Sequence, residues 1–238
     1  MPGSESSGFP DGATSPEGGG IAFAWFENLS DEYGHGVLGD ALEPTRLRAW
    51  STETSARCGL SVDAGMGHVF EDIAPRLADV DGDGAPEVIV VRSSFSQGAQ
   101  LAIYGQTDSD TDLILQAATP YIGRPFRWLA PAAWADLDGD GRVELAYIDR
   151  PHLAKILRVW RYEAGQLVQV ATIDGVTNHR IGEPFISGGI RDCGDGREIV
   201  LATADWSGLV TVRFDGRRLT ANDLGNGLDF DAALSCRR

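Results

Sequence analysis

Lysine is almost missing from this chain. One, Lys155, stands beside 19 arginines in 238 residues, and the 20 bases are outnumbered by 35 acids. The net charge of −15 excludes the basic surface that nucleic acid binding needs and argues against electrostatic docking on anionic lipid. Long apolar runs are missing as well. No stretch reaches the ~18 hydrophobic residues of a membrane-spanning helix, so no insertion in a bilayer is expected. The three cysteines, Cys58, Cys193 and Cys236, have no zinc-site spacing. Either Cys193 and Cys236 pair and pin the C-terminal end, leaving Cys58 free, or all three stay reduced. There is almost no helical periodicity, and no G-x-S-x-G, H-E-x-x-H or phosphate loop. The stretch Met1 to Gly20 is rich in Gly, Ser, Pro and Glu and has no apolar core. It reads as a disordered leader and not as a signal peptide.

Carboxylates are concentrated in two near-identical stretches. The first runs Asp79-Val-Asp81-Gly-Asp83-Gly-Ala85-Pro-Glu87, the second Asp136-Leu-Asp138-Gly-Asp140-Gly-Arg142-Val-Glu144. Acids at positions 1, 3, 5 and 9 repel one another at short range, so each loop favours a compensating cation. A hard ion with oxygen ligands fits, and calcium, which takes six to eight oxygens in flexible geometry, fits best. The expected ligands are the side chains of Asp79, Asp81, Asp83 and Glu87 with the carbonyl of Ala85. In the second loop they are Asp136, Asp138, Asp140 and Glu144 with the carbonyl of Arg142. Two calcium ions are thus expected. The spacing departs from an EF-hand, because the last acid falls at position 9 and an apolar strand follows, Val88 to Val91 and Leu145 to Ile148.

The loops mark a repeat. From Asp79 to Asp136 is 57 residues, and from Asp136 to Asp192 is 56. At Asp192 a shortened copy, Asp192-Cys-Gly-Asp195-Gly-Arg-Glu198, precedes Ile199 to Leu201 and is expected to keep the turn without the ion. Ile122-Gly-Arg-Pro-Phe126 upstream of the second loop echoes Ile181-Gly-Glu-Pro-Phe185 upstream of the third. After the loops, Leu101 to Tyr104, Leu157 to Trp160 and Leu209 to Val212 alternate as half-buried strands do. Further strands are expected over Thr111 to Ala118, Gln166 to Ile173, Arg127 to Ala133 and Phe185 to Ile190. Four short antiparallel strands repeated at a fixed period make a β-propeller blade. The fold class is therefore all-β, a propeller of about four blades, with five as the alternative. The leader would cover 1–20 and a single domain 21–238, with repeats near 33–77, 78–134, 135–190 and 191–238. A degenerate first blade spans Val37 to Val62. Either Ile21 to Asn28 or Leu228 to Leu234 is expected to complete the last blade and close the ring.

The loop Asp79-x-Asp81-Gly-Asp83-Gly-x-x-Glu87 and its copy resemble the FG-GAP/VCBS repeats, which build integrin α-like propellers and many bacterial exported proteins. The resemblance spans roughly residues 33–225. It implies calcium-binding loops formed by the ligands named above, and a role in adhesion, recognition or surface display. An extracytoplasmic location, periplasmic or secreted, follows from the resemblance and from the modest calcium affinity of such loops.

The four histidines, His35, His68, His152 and His179, are read first as turn caps bonding to backbone. His35 and His179, with Arg127 and Arg191, are candidates for a ligand site at the mouth of a central channel. Trp50, Trp134 and Trp160 are expected in the core, while Trp25, Trp128 and Trp206 are candidates for an exposed platform stacking on sugars. The expected function is a non-enzymatic, calcium-stabilised binding module, expected to be a monomer, with a protein or glycan as partner. A polysaccharide-acting hydrolase or lyase, with acids at the channel mouth, is the alternative.

Overall fold

The computed structural model describes residues 13–14, 19–52, 59–106 and 112–237. Cys58, Arg57, Thr111 and most of the Met1 to Gly20 stretch lie outside the described residues. Within them, four antiparallel sheets follow one another along the chain. The first holds β1 (Ala13–Thr14), β2 (Ile21–Ser30), β3 (Glu43–Ser51) and β4 (Leu60–Asp63). The second holds β5 (His68–Phe70), β6 (Arg76–Ala78), β7 (Glu87–Ser94), β8 (Gly98–Gln106) and β9 (Leu113–Ala118). The third holds β10 (Leu129–Ala135), β11 (Glu144–Asp149), β12 (Ile156–Glu163) and β13 (Gln166–Asp174). The fourth holds β14 (Val176–Thr177), β15 (Gly189–Asp192), β16 (Arg197–Thr203), β17 (Gly208–Phe214) and β18 (Leu219–Asn226).

Side-chain alternation along the loop-following strands turns these sheets into stacked blades. In β7, Val88 and Val90 pack toward the first sheet with Leu47, Ala49 and Leu60. The intervening Ile89 and Val91 pack toward the third with Leu145 and Tyr147. In β11, Ala146 and Ile148 turn the other way and meet Ile199 and Leu201 of β16. Successive residues of a strand face opposite sides, so a strand buried on both faces reads as an unbroken apolar run. That is why the runs after the acidic loops show no polar alternation. The result is an all-β, propeller-type stack of four blades.

The expected strand that completes the last blade is absent among the described residues. Ile21 to Asn28 lies in β2, paired with β3 in the first sheet (Ala24 opposite Ala49), because its apolar residues Ile21 and Ala24 belong to the core between the first two sheets. Leu228 to Leu234 instead enters a short helix, α1 (Phe230–Leu234), whose N-cap Asp229 accepts from Ala232 N at 2.8 Å. This helix covers Val200, Ala202 and Leu209 on the outer face of the fourth sheet. A disulfide between Cys193 and Cys236 ties it down. The first and fourth units meet through loops, where Gly182 N–H donates to the Val37 carbonyl at 3.1 Å.

In the second and fourth sheets the first strand is interrupted. Both β5 and β6 pair with β7, and both β14 and β15 pair with β16. The excursions between them, 71–75 and 178–188, carry Glu71 and His179 to one end of the stack. Phe185 to Ile190 falls largely in this excursion, so strand β15 begins only at Gly189. Two tryptophans expected in the core are not buried. Trp50 is 44% and Trp134 38% exposed, whereas Trp160 is 7% exposed; Trp134 lies under the Arg76 guanidinium of the second sheet, 5.3 Å from its ring centroid.

Candidate metal centre and ligand pocket

Each acidic loop folds back on itself through the same five hydrogen bonds. In the first, Gly82 N and Gly84 N donate to the two oxygens of Asp79 (2.8 and 3.0 Å). Asp83 N donates to Asp81 Oδ1 (3.1 Å), Ala85 N to Asp83 Oδ1 (2.7 Å) and Val80 N to Glu87 Oε2 (2.9 Å). The second loop repeats this set with Asp136, Asp138, Asp140 and Glu144, at 2.7 to 3.1 Å. The turn needs glycine at its fourth and sixth positions, since Gly82 and Gly84 have φ of 81° and 93° and Gly139 and Gly141 have 81° and 89°. The last acid of each loop, Glu87 or Glu144, begins a buried strand and is itself buried.

Ligand oxygens of Asp79, Asp81 and Glu87 lie within 4.8 Å of one another, and those of Asp136, Asp138 and Glu144 do likewise. These two groups can hold a metal ion, and an all-oxygen donor set fits a hard divalent cation. Asp83 and Asp140 belong to neither group of three. Their Oδ1 atoms accept from the Ala85 and Arg142 N–H groups and shape the turn. The charges are arranged differently in the two loops. Burial, then the negative charge of Asp81, Asp83 and Asp79, pushes Glu87 up to about 7 against the opposing Val80 N–H. No arginine or lysine pairs with the first loop among the described residues. In the second loop, Arg161 donates to Asp138 Oδ2 at 2.9 Å and to Glu144 Oε1, and lies 3.4 Å from Asp140 Oδ2. Arg142 takes Asp140 Oδ2 at 2.7 Å and holds that carboxyl below its ordinary value.

The third, shortened loop keeps the bend. Gly194 N and Gly196 N both donate to Asp192 Oδ1, at 2.8 and 3.3 Å. Its Glu198 is taken by Arg191 (3.0 Å) and Arg213 (2.9 Å). Burial raises this carboxyl, but the two guanidiniums outweigh it and leave the pKa below its ordinary value.

Residues 74–147, which contain both full loops, match the family described as FG-GAP-like repeat. No curated protein sequence matches this chain. Among solved structures, the crystal structure of the exotype rhamnogalacturonan lyase YesX is similar over 92% of this chain, at 15% identity and a TM-score of 0.43. The chain spans 50% of the length of that protein.

A second constellation lies where loops of the four units approach one another. A cavity of about 200 Å³ is lined by His35, Phe126, Arg127, Trp128, Arg150 and His152, among others. His35 Nδ1 bonds Glu71 Oε1, and the second oxygen of the fully buried Glu71 accepts from Ser93 Oγ at 2.5 Å. Trp128 donates to the Glu71 carbonyl at 2.8 Å. His152 Nε2 meets His179 Nδ1 at 2.9 Å, and His179 Nε2 meets the Glu183 carbonyl at 2.9 Å. A carbonyl only accepts, so in the neutral rings His179 donates from Nε2 and His152 donates to His179, leaving a bare lone pair on His152 Nδ1. Burial, with His179, His35 and Lys155 nearby, lowers His152 to about 4. Phe126 and Arg150 on the cavity wall have left-handed φ of 52° and 47°, a conformation costly for residues with a Cβ and concentrated at functional sites.

Of the channel-mouth candidates, His35 and Arg127 line this cavity and His179 stands behind His152. Arg191 lies elsewhere, bonded to Glu198 and to the Ala233 carbonyl at 2.9 Å. Glu71, Arg150 and His152 join the site unanticipated. The repeated Ile-Gly-x-Pro-Phe segments were the available signal, since they deliver Phe126 and Ile181 to the cavity. His68 caps the Met66 carbonyl at 2.8 Å, as a turn histidine does. The three tryptophans considered as a platform do not assemble into one. Trp128 is 2% exposed, Trp25 stacks on Phe23, and Trp206 lies under Arg180 at 4.1 Å.

Proposed function

We propose that this chain is a calcium-stabilised, non-enzymatic propeller module that binds a glycan bearing a carboxylate in the His35–Arg127 cavity, outside the cytoplasm and as a monomer. The observation that carries the reading is the donor and acceptor pattern of that cavity. Arg127 donates one N–H to the Phe126 carbonyl at 2.7 Å and makes no ion pair among the described residues, so its charge is available. Asp149 is shared by Arg150 (2.7 Å) and Arg158 (2.8 Å), which leaves that trio with one net positive charge. Guanidiniums favour planar carboxylates. His35 Nε2 and His152 Nδ1 are acceptors for hydroxyl groups, and the half-exposed Phe126 offers a ring face to a pyranose. A cavity of about 200 Å³ is below the ~300 Å³ at which drug-sized sites begin, which suits a single sugar ring. The disulfide supports an oxidising compartment.

The test is titration calorimetry of the full chain with D-glucuronate, D-glucose and acetate. Glucuronate binding more tightly than either of the others, with the preference lost in Arg127→Ala, supports the reading. Equal binding of glucose, or none of the three binding, sinks it. One observation favours the second reading, a polysaccharide lyase: the buried Glu71 orients His35 as it would a general base. Among the described residues no carboxylate lines the cavity, so the paired-acid hydrolase mechanism has no support there. Release of an unsaturated, ultraviolet-absorbing product from a uronate-containing polysaccharide, abolished in His35→Ala, would establish the lyase over the binding module.

A further inference from the structure

The two full acidic loops have the same hydrogen-bonded turn, yet among the described residues only the second holds an arginine against its acids. The difference is written one strand away. In the third sheet Glu144 stands directly opposite Arg161, and the guanidinium reaches across the pair into the loop. One step beyond the Ile199–Val212 pair of the fourth sheet, Glu198 stands opposite Arg213 in the same way, with Arg213 Nη2 2.9 Å from Glu198 Oε1. One step beyond the Val88–Tyr104 pair of the second sheet, Glu87 stands opposite Gly105. No side chain reaches the first loop from there, and one added there would have to displace the end of the Gln116 side chain. A Cβ on Gly105 would lie 1.9 Å from Gln116 Nε2. Gln116 is the extra residue of the bulge between Leu115 and Ala117, and its Oε1 is buried without a hydrogen-bond partner among the described residues.

We propose that the first loop, Asp79 to Glu87, is the single calcium site of the protein, and that Arg161 and Arg213 serve as built-in cations that replace the ion in the second and third loops. The inference rests on the calcium reading of the family turn and refines it from two ions to one. The second loop fits a metal poorly for reasons of its own. Arg161 occupies the space between Asp138 and Glu144, and the Asp136 carbonyl accepts from Arg197 at 2.7 Å. A guanidinium and a divalent ion cannot share those oxygens, because like charges at contact distance repel and each carboxylate has few free lone pairs. The first loop presents four acids and no internal cation among the described residues, so it gains most from an ion. The replacement is a difference of one residue at one register position. In the second loop the arginine stands against the acids without any change in the turn.

The experiment is calorimetric titration of the chelator-stripped full chain with calcium chloride, alongside Asp81→Asn, Asp138→Asn and Arg161→Gly. One site is expected in the wild type, none in Asp81→Asn, and an unchanged single site in Asp138→Asn. Arg161→Gly should gain a second site; if it fails to fold, the two asparagine variants decide alone. Two sites in the wild type, or loss of a site in Asp138→Asn, overturn the single-site inference while leaving calcium binding intact. No heat and no shift in melting temperature overturn the inference together with the calcium reading beneath it.

Discussion

Replacing Arg161 by Met tests whether the guanidinium is an internal counter-ion or a surface ornament. The side chain of Arg161 is 7% exposed, and its partners Glu144 and Asp138 are 0% and 6% exposed. Removing one member of a buried ion pair leaves an uncompensated charge and typically costs about 3–5 kcal/mol. For a chain of this size each kcal/mol moves the melting temperature by about 2–4 °C, so a fall of roughly 6–20 °C is expected. Arg213→Met provides the comparison. Arg213 is 37% exposed, and Glu198 keeps Arg191 at 3.0 Å. Its loss should cost less than about 1 kcal/mol, in the range of exposed pairs. Arg142→Met, at 56% side-chain exposure, should cost still less by the same argument. Thermal melts are to be run in excess chelator, so that no added ion takes the guanidinium's place. A fall in Arg161→Met no larger than in Arg213→Met would refute the reasoning.

Three further perturbations follow from the same geometry. Breaking the Cys193–Cys236 bridge by paired serine substitutions frees a loop of 43 residues' separation, and chain-entropy reasoning puts the cost at about 4 kcal/mol; an unchanged denaturant midpoint would contradict it. His152 is held near 4 in the folded chain against 6.5 for the free imidazole, so its contribution is fully present above pH 6.5 and is lost as pH falls toward 4. The loss should reach about 3 kcal/mol at most, seen as divergence of the wild-type and His152→Asn stability curves between pH 7 and 4.5; parallel curves would exclude it. Glu71→Gln keeps the bond to Ser93 but withdraws the charge that fixes the His35 proton, so it should weaken glucuronate binding several-fold with little change in melting temperature. Equal affinity would remove Glu71 from the site.

The acidic loops, their repeat and the blade class are legible in the sequence because spacing there is chemistry: acids at alternate positions with glycines between them permit few folds. Strand β2 and helix α1 were harder. Ile21 to Asn28 reads equally well as a strand of the first or the last blade, since apolar alternation fixes a face and not a partner. Five residues, Phe230–Leu234, are too few to show a helical period. Arg161 and Arg213 were within reach. The strands Leu101 to Tyr104, Leu157 to Trp160 and Leu209 to Val212 align, and the next residue of each is Gly105, Arg161 or Arg213. The pairing of His35 with Glu71 was out of reach, because it joins residues 36 apart through two irregular segments. Trp50 and Trp134 look like core residues by type, but type alone does not fix exposure, and both are exposed.

The most direct test of the account is a high-resolution crystal structure grown in calcium chloride. One calcium is expected, coordinated by oxygens of Asp79, Asp81 and Glu87, with the Arg161 guanidinium still seated between Asp138 and Glu144. A calcium ion in the second loop with Arg161 swung away, or two loops bare of metal at saturating calcium, would contradict it.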